Sequence, residues 1–402
     1  MAAPPHSASS RRASGGGGRA GSSGAAGVLQ RPSHALPPNV TMAILKHKHG
    51  VERVGDLVHA HGGGGGGSSD EASRRESKSG TQETLTALEK ILEVETVQLA
   101  PSTGGHTQTL DLFTGVTASE GNFTPRVYGG QLIAQALNAA SKTLPPGRRC
   151  HSCHCYFMSP GDTKERFVFT VERLRDGKSF CQRQVVARQR GAAVFTMMAS
   201  YQSADSWDAP TALQHQKACP EGVPPPESLP TQREFFDKLL EDDRLSEEIR
   251  ASVRRKFEAL PPFPLDIRFV SKAIDRYFPT SPREPRQLAW VRMPPGDAPV
   301  HESVVAYASD WGLLETVALP HGVNLAHRRL RMASLDHAIY FHHPIAADEW
   351  LLFEMESTSA SGERGLAHGY FYGRDGTLRC SVTQEGLVRV VNKPSTGRRA
   401  KL

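Results

Sequence analysis

Two rhythms of apolar and polar residues alternate along this chain, and each change of rhythm marks an element. In "YGGQLIAQALNAASKTL", residues 128–144, the apolar positions Leu132, Ile133, Ala136, Leu137 and Ala140 recur at the i, i+3, i+4 spacing of a helix with one buried face. Downstream, stretches at about 150–158, 166–174, 180–189 and 193–203 read as strands, the last two joined by the turn "RQRGA". Upstream, "TQETLTALEKILEVETVQLA" reads as a short helix passing into a strand. A long helix followed by consecutive antiparallel strands predicts a sheet that wraps the helix, an α+β arrangement.

The order then repeats. "ESVVAYASDWGLLETVALPHG" reads as a second helix, and "RMASLDHAIYFHHP", "EWLLFEMES", "GLAHGYFYGRDG" and "TLRCSVTQEGLVRVV" as strands. A shift of 184 residues puts Tyr156-Phe157 on Tyr340-Phe341, Pro160 on Pro344, Glu165 on Glu349 and Glu172 on Glu356. A constant shift over that span is the mark of an internal duplication, and the second helix is expected within a few residues of the same shift. Between the copies, "VPPPESLP" and "LPPFPLD" bracket a charged helix at about 231–260, opened by the capping box Thr231-x-x-Glu234. The expected organisation is a low-complexity region over 1–80, a first repeat over 81–205, a surface connector over 206–285, a second repeat over 286–393 and a tail over 394–402.

Composition separates the tail from the body. Residues 1–80 are dominated by Gly, Ser, Ala and Arg, with almost no aromatic residues, so no packed core is expected there. The poly-Gly run satisfies GxGxxG trivially, with no strand ahead of it. Much of the net charge of +6 comes from the same region, where Arg11, Arg12, Arg19, Arg31, Lys46, Lys48 and Arg53 face only Glu52 and Asp56 over the first 60 residues. The rest is nearly neutral, which argues against a nucleic-acid-binding face. No apolar run approaches 18 residues, so no transmembrane helix is expected. The six cysteines, without a secretory apolar segment, read as free thiols in a reducing compartment. The sequons Asn39-Val-Thr41 and Asn122-Phe-Thr124 matter only in a secreted protein.

"CHSCHCYF", residues 150–157, invites a zinc reading, because Cys150-x-x-Cys153 has the familiar spacing of a half-site. No second half exists, since Cys181, Cys219 and Cys380 are single and scattered. On a regular strand Cys150 and Cys153 point to opposite faces. A half-buried strand with reduced thiols is the expectation, with no metal and no cofactor. Two address signals compete. Ala400-Lys401-Leu402 follows the small-basic-Leu pattern of a peroxisomal tripeptide. The first 51 residues, Arg- and Ser-rich and free of acids, look like an organellar transit peptide. The peroxisomal matrix is favoured, through an import receptor for the tripeptide, with the mitochondrion as the alternative.

Candidate chemistry sits in the second copy. Asp310, in "AYASDWGLL", is a carboxylate among apolar and small residues, and the plain reading is a favourable charge near a helix start. Ser334 and Asp336 fall on one face of "ASLDHAIYF" and His337 on the other. Gln384, in "SVTQEGLVR", interrupts an otherwise alternating strand, and an isolated Ser or Gln is usually a hydrogen-bonded structural residue. No GxSxG elbow occurs, so a nucleophilic serine hydrolase of the α/β type is unsupported.

Taken together, "YGGQLIAQALNAASKT", "HCYFMSPGD", "VERLRDGKSF", "AYASDWGLLETVALPHG", "ASLDHAIYFHHPIAADEWLLFEMES", "GERGLAHG" and "VTQEGLVR" resemble the acyl-CoA thioesterase II family, from about Glu83 to Val391. The resemblance implies a double hot dog fold, two repeats each wrapping an antiparallel sheet around a long helix. It also implies hydrolysis of fatty acyl-CoA to free acid and coenzyme A, acyl-CoA as the substrate, and a homo-oligomer. Matched motif by motif, the family's catalytic Asp, hydroxyl residue and Gln fall on Asp310, Ser334 and Gln384. Asp310 would be the base or water-orienting carboxylate, with Ser334 and Gln384 fixing the water. Donors for the thioester oxygen would be backbone N–H groups at Gly129-Gly130 or just before Asp310. No histidine is placed by motif to activate Ser334, so a covalent acyl-serine is unsupported. The alternatives are an enoyl-CoA hydratase built on Asp336-His337 and a non-catalytic acyl-CoA-binding protein.

Overall fold

The computed structural model describes residues 87–97, 110–117, 126–207, 213–259, 263–279, 281–294, 301–323 and 330–390; the expectations for residues 1–80, the C-terminal tail and both address signals lie outside them. Helix α1 (Ala87–Leu92) leads into β1 (Val94–Thr96), and β2 (Leu110–Gly115) precedes the long helix α2 (Gly129–Ser141). Strands β3 (Arg148–Phe157), β4 (Phe167–Asp176), β5 (Phe180–Gln189) and β6 (Ala192–Ser203) complete the first copy. Next come α3 (Gln232–Glu241), α4 (Glu247–Ala259), β7 (Asp266–Phe269), α5 (Ala273–Tyr277) and β8 (Arg286–Arg292). The second copy continues with α6 (His301–Ser309), a 3-10 segment over Leu314–His321, β9 (Leu330–Ser334), β10 (Asp336–Phe341), β11 (Leu351–Ser361), β12 (Arg364–Tyr372) and β13 (Leu378–Val390).

The strands form one antiparallel sheet in the order β1-β2-β4-β5-β6-β3-β10-β13-β12-β11-β8-β7, with β9 on β13. Outward from the β3–β10 contact, the two halves match strand for strand. Their registered pairs are centred on His154 opposite Ala338, residues 184 apart, so the duplication shift and the pseudo-twofold axis coincide. On the inner side, the predicted stripe of α2 is sealed: Leu132, Ile133, Ala136, Leu137 and Ala140 are buried, against the sheet and against α6. This is the double hot dog arrangement the resemblance implies.

Several local expectations fail for identifiable reasons. The second helix does not follow the strand shift: α2 opens at Gly129 and α6 at His301, an offset of 172. The second copy inserts the 3-10 segment between its helix and its first strand, where the first copy has only the connection from Lys142 to Gly147. Cys150 and Cys153 do not point to opposite faces. A register break between Cys150 and Ser152, against β6, resets the alternation, and Cys150, Cys153 and Cys155 all turn inward and are buried. Burial pushes all three thiols up, Cys153 to about 12, which leaves them protonated. The charged helix of the connector is two helices, with Asp242 ending the first.

The capping box forms: Thr231 Oγ1 accepts the Glu234 N–H at 3.1 Å and Glu234 Oε2 accepts the Thr231 N–H at 2.8 Å. From α3, Phe235 stacks on Phe269 of β7 with ring centroids 4.1 Å apart. The segment before α3 crosses the outer face of the second half, where Trp290 Nε1 donates to the Pro224 carbonyl at 2.9 Å. There Lys217 meets the buried Glu354 carboxylate at 2.6 Å, and Arg286 meets it from the other side at 2.7 Å.

Candidate active site

Asp310 sits at the opposite end of its helix from the one expected. The segment read as one helix stops at Ser309, because Gly312 adopts a left-handed φ of +71°, and a 3-10 segment resumes at Leu314. A β-carbon at Gly312 would lie 3.0 Å from Arg276 Nη2, a buried guanidinium that pairs with Glu315. Asp310 therefore stands at the C-terminal end of α6, where a helix dipole disfavours a carboxylate. The compensation comes from the other copy: the N-terminus of α2 faces Asp310, and Gly130 N–H donates to Oδ2 at 2.9 Å.

That approach explains the paired glycines. A β-carbon at Gly129 would lie 2.7 Å from Asp310 Oδ2, and one at Gly130 would lie 2.3 Å from the Tyr307 carbonyl oxygen. Tyr128 closes the same corner, its hydroxyl donating to the Tyr307 carbonyl at 2.9 Å.

The structure brings Asp310, Ser334 and Gln384 together. Ser334 Oγ donates to Asp310 Oδ1 at 3.2 Å. Gln384 Nε2 donates to Asp310 Oδ1 at 2.6 Å and to Ser334 Oγ at 2.7 Å. Both amide hydrogens and the hydroxyl hydrogen are thus used within the triangle, and with Gly130 the carboxylate accepts three hydrogen bonds. A carboxylate offers about four acceptor positions, so one position on Oδ2 is left for a further donor. Burial raises the Asp310 pKa above the usual aspartate value, while Gln384, Gly130 and Ser334 oppose the rise. Gln384 itself is fully buried, and its Oε1 has no protein partner.

Strand alternation does not separate Ser334 from His337. β9 pairs with β13 through Ser334 opposite Gly386, and β10 through Ala338 opposite Thr383, so the register slips by one residue at the junction. The slip turns both Ser334 and His337 toward α6. Asp336 goes elsewhere, its Oδ1 accepting the Glu385 N–H at 2.9 Å, so Asp336 and His337 share no site. Of the backbone donors expected for the thioester oxygen, Gly130 N–H is engaged by Asp310, and the residues just before Asp310 lie within α6, where amides bond to carbonyls four residues back. That leaves the Gly129 N–H at the start of α2. Among the described residues no cluster of three or more His, Cys, Asp or Glu is placed to hold a metal.

Aromatic residues that sequence reasoning does not single out wall the site. Tyr128 and Tyr307 meet edge to face at 4.9 Å, and Trp311, next to Asp310, contacts Phe263 and Phe269 from the connector at 6.2 and 5.3 Å. These rings lower the local dielectric around the carboxylate, consistent with the direction of its shift. The available signal is Phe263 and Phe269 flanking an apolar break in a charged connector, too weak to locate a site.

Residues 271–387 match the family model described as acyl-CoA thioesterase, and residues 118–202 match acyl-CoA thioesterase N-terminal domain. The chain is 40% identical over 273 residues to acyl-coenzyme A thioesterase 8 of Mus musculus, covering 66% of this chain and 81% of that protein. It is 28% identical over 348 residues to peroxisomal acyl-coenzyme A thioester hydrolase 1 of Saccharomyces cerevisiae, covering 77% of this chain and 96% of that one. Among solved structures, the acyl-CoA thioesterase II TesB2 of Mycobacterium marinum superposes with a TM-score of 0.55 at 34% identity, covering 76% of this chain and 99% of that chain.

Proposed function

The chain belongs to the acyl-CoA thioesterase II family and is an acyl-CoA hydrolase, and from that premise we propose that Asp310, Ser334 and Gln384 drive hydrolysis of fatty acyl-CoA. The observation that carries the proposal is the convergence of Ser334 Oγ and Gln384 Nε2 on one oxygen of Asp310, with its second oxygen held by Gly130 and still able to accept. A water donating to Oδ2 is oriented by a carboxylate whose raised pKa makes it a stronger base than an exposed aspartate. The water oxygen bonds to the thioester carbonyl carbon, and Asp310 takes its proton. Collapse of the tetrahedral intermediate breaks the C–S bond, and the proton passes to the departing coenzyme A thiolate. Ser334 does not need to form a bond to substrate: its hydroxyl is a donor to Asp310, and no described histidine bonds to it.

The alternative hydratase reading needs Asp336 and His337 to act together, and their different partners oppose it. A non-catalytic acyl-CoA-binding role would give no reason for three polar side chains to converge beside a raised carboxylate. Thiol release from saturated acyl-CoA by purified protein is the test. Asp310→Ala or Gln384→Ala turning over at the wild-type rate refutes the assignment. The peroxisome is the proposed location, supported by the name of the Saccharomyces cerevisiae relative and by Ala400-Lys401-Leu402, through which an import receptor would bind. Removing those three residues should leave the protein cytosolic, and mitochondrial retention would favour the N-terminal signal instead. A homo-oligomer, proposed on the family resemblance, is checked by light scattering of the full chain.

A further inference from the structure

A second buried polar pair lies beside the proposed network and takes no part in it. Ser309, immediately before Asp310, has its Oγ 2.8 Å from His337 Nε2 and 2.9 Å from the Ala306 carbonyl oxygen. Both side chains are sealed from solvent, Ser309 at 0% and His337 at 1% exposure. The serine hydroxyl has a single hydrogen, which decides the arrangement. Were it donated to His337, two oxygens would face each other at 2.9 Å with no hydrogen between them. The Nδ1–H would also be stranded, because Nδ1 has no partner. Donated to Ala306, it leaves His337 Nε2–H to complete the second bond and only a lone pair on Nδ1 unmet. Buried N–H groups without acceptors are the rarer defect, so the imidazole is the neutral Nε2–H tautomer. Burial pushes its pKa down to about 3, which keeps it neutral across the working range.

We propose that His337 is a positioning residue for thioester hydrolysis: through Ser309 it fixes the end of α6 and sets the Asp310 carboxylate against Ser334. The inference rests on the assignment of Asp310, Ser334 and Gln384 above. Ser309 is one residue from Asp310, and His337 is three residues from Ser334. Their hydrogen bond ties together the same two segments that must meet at 3.2 Å for Ser334 to donate to Asp310. The tie sits where α6 ends and the chain turns at Gly312, so the helix itself does not fix the carboxylate. His337 is no base in the reaction, since its free nitrogen is buried and its other nitrogen is committed to Ser309.

The test compares full-length Ser309→Ala, His337→Phe, His337→Gln and the double variant Ser309→Ala/His337→Phe, with Asp310→Ala as control, for kcat and KM on acyl-CoA and for thermal unfolding. His337→Phe and Ser309→Ala should each lower kcat by about 10- to 100-fold with KM nearly unchanged, the scale expected for misplacement approaching 1 Å. The double variant should be no worse than the poorer single one, because the two residues act through one bond. His337→Gln, which can offer an N–H from a similar place, should recover most of the rate. Wild-type kcat in both single variants, losses that multiply in the double variant, or no rescue by Gln would overturn the inference. Should His337→Phe not fold, Ser309→Ala and His337→Gln decide the matter alone. An active Asp310→Ala would refute the catalytic assignment itself, whereas an inactive one beside wild-type Ser309→Ala and His337→Phe refutes only the positioning role.

Discussion

Gly129→Ala adds one methyl group and should slow the enzyme without unfolding it. The new carbon would lie 2.7 Å from Asp310 Oδ2 and 3.1 Å from the Phe157 ring, where ordinary contact begins at 3.4 Å. Phe157 can yield a few tenths of an ångström, but the carboxylate must retreat by ~0.7 Å, and at that displacement a reacting group loses between about 10- and 100-fold in rate. The loss corresponds to roughly 1.4–2.7 kcal/mol of transition-state stabilisation. Alanine is the better helix former by about 1 kcal/mol, so the backbone has no intrinsic objection at this position. The expected result is a kcat lowered by that factor, measured by thiol release, with a far-UV spectrum and melting temperature close to wild type. Wild-type kcat would refute the claim that Gly129 is required by the closeness of α2 to the carboxylate, and loss of folding would show that the crowding acts on the core instead.

Other consequences are open to measurement. The raised pKa of Asp310 places the acid limb of the kcat/KM profile above the range of an ordinary aspartate, with rate falling as pH drops through it; a limb at the ordinary aspartate value contradicts the burial argument. The same shift has an opposite sign for stability: a carboxylate whose pKa is raised on folding contributes less as pH rises from its unfolded to its folded value, so Asp310→Ala should flatten the pH–stability curve there. Burial works to raise Glu354, but hydrogen bonds from Lys217 and Arg286 outweigh it and hold its pKa down. Glu354→Gln should therefore cost about 2 kcal/mol in denaturant unfolding, the scale of hydrogen bonds to a charged group, with wild type losing this increment as pH falls through the depressed pKa. Thr231→Ala removes one half of the capping box and should cost ~1 kcal/mol, read as a lower melting temperature with kcat unchanged.

The duplication is legible because the shift between equivalent strands is preserved residue for residue across β3 and β10, and the stripe of α2 because a helix buried on one face repeats every 3.6 residues. What alternation cannot deliver is direction near a bulge. The slips around His151 on β3, between Cys150 and Ser152, and at the β9–β10 junction each reverse the face of every later side chain, and neither leaves a glycine or proline as a marker. Alternation misplaces His337 for that reason, and Cys153 with it. The end of α6 escapes the sequence because "SDWGLL" has helical composition, and only the left-handed backbone at Gly312 ends the helix. Asp310, Ser334 and Gln384 stand out locally as polar residues, but only the family resemblance gives them a shared role, since their convergence depends on a helix end and strands far apart in sequence.

The two copies do not carry the same side chains at equivalent positions, and the sheet register shows where they differ. Phe157 pairs with Phe195 in the first copy and Phe341 with Cys380 in the second, so Ala199 stands where Gln384 stands. Cys150 stands where Ser334 stands, and its thiol is held protonated by burial. Counted from the helix starts, Asn138 answers to Asp310, and its amide donates to the Leu92 carbonyl at 2.9 Å. No carboxylate or hydroxyl stands at these three positions, and the one amide is committed to the backbone. Yet the first copy is not idle, because its helix N-terminus supplies the Gly130 N–H that offsets Asp310 at the unfavourable end of α6. At the equivalent position of α6 the second copy carries Glu302, whose charge raises the Cys150 thiol further rather than supporting an ionised group there. The three converging side chains therefore belong to the second repeat, and the first supplies the Gly130 N–H that supports the Asp310 carboxylate, so the proposed network draws on both repeats.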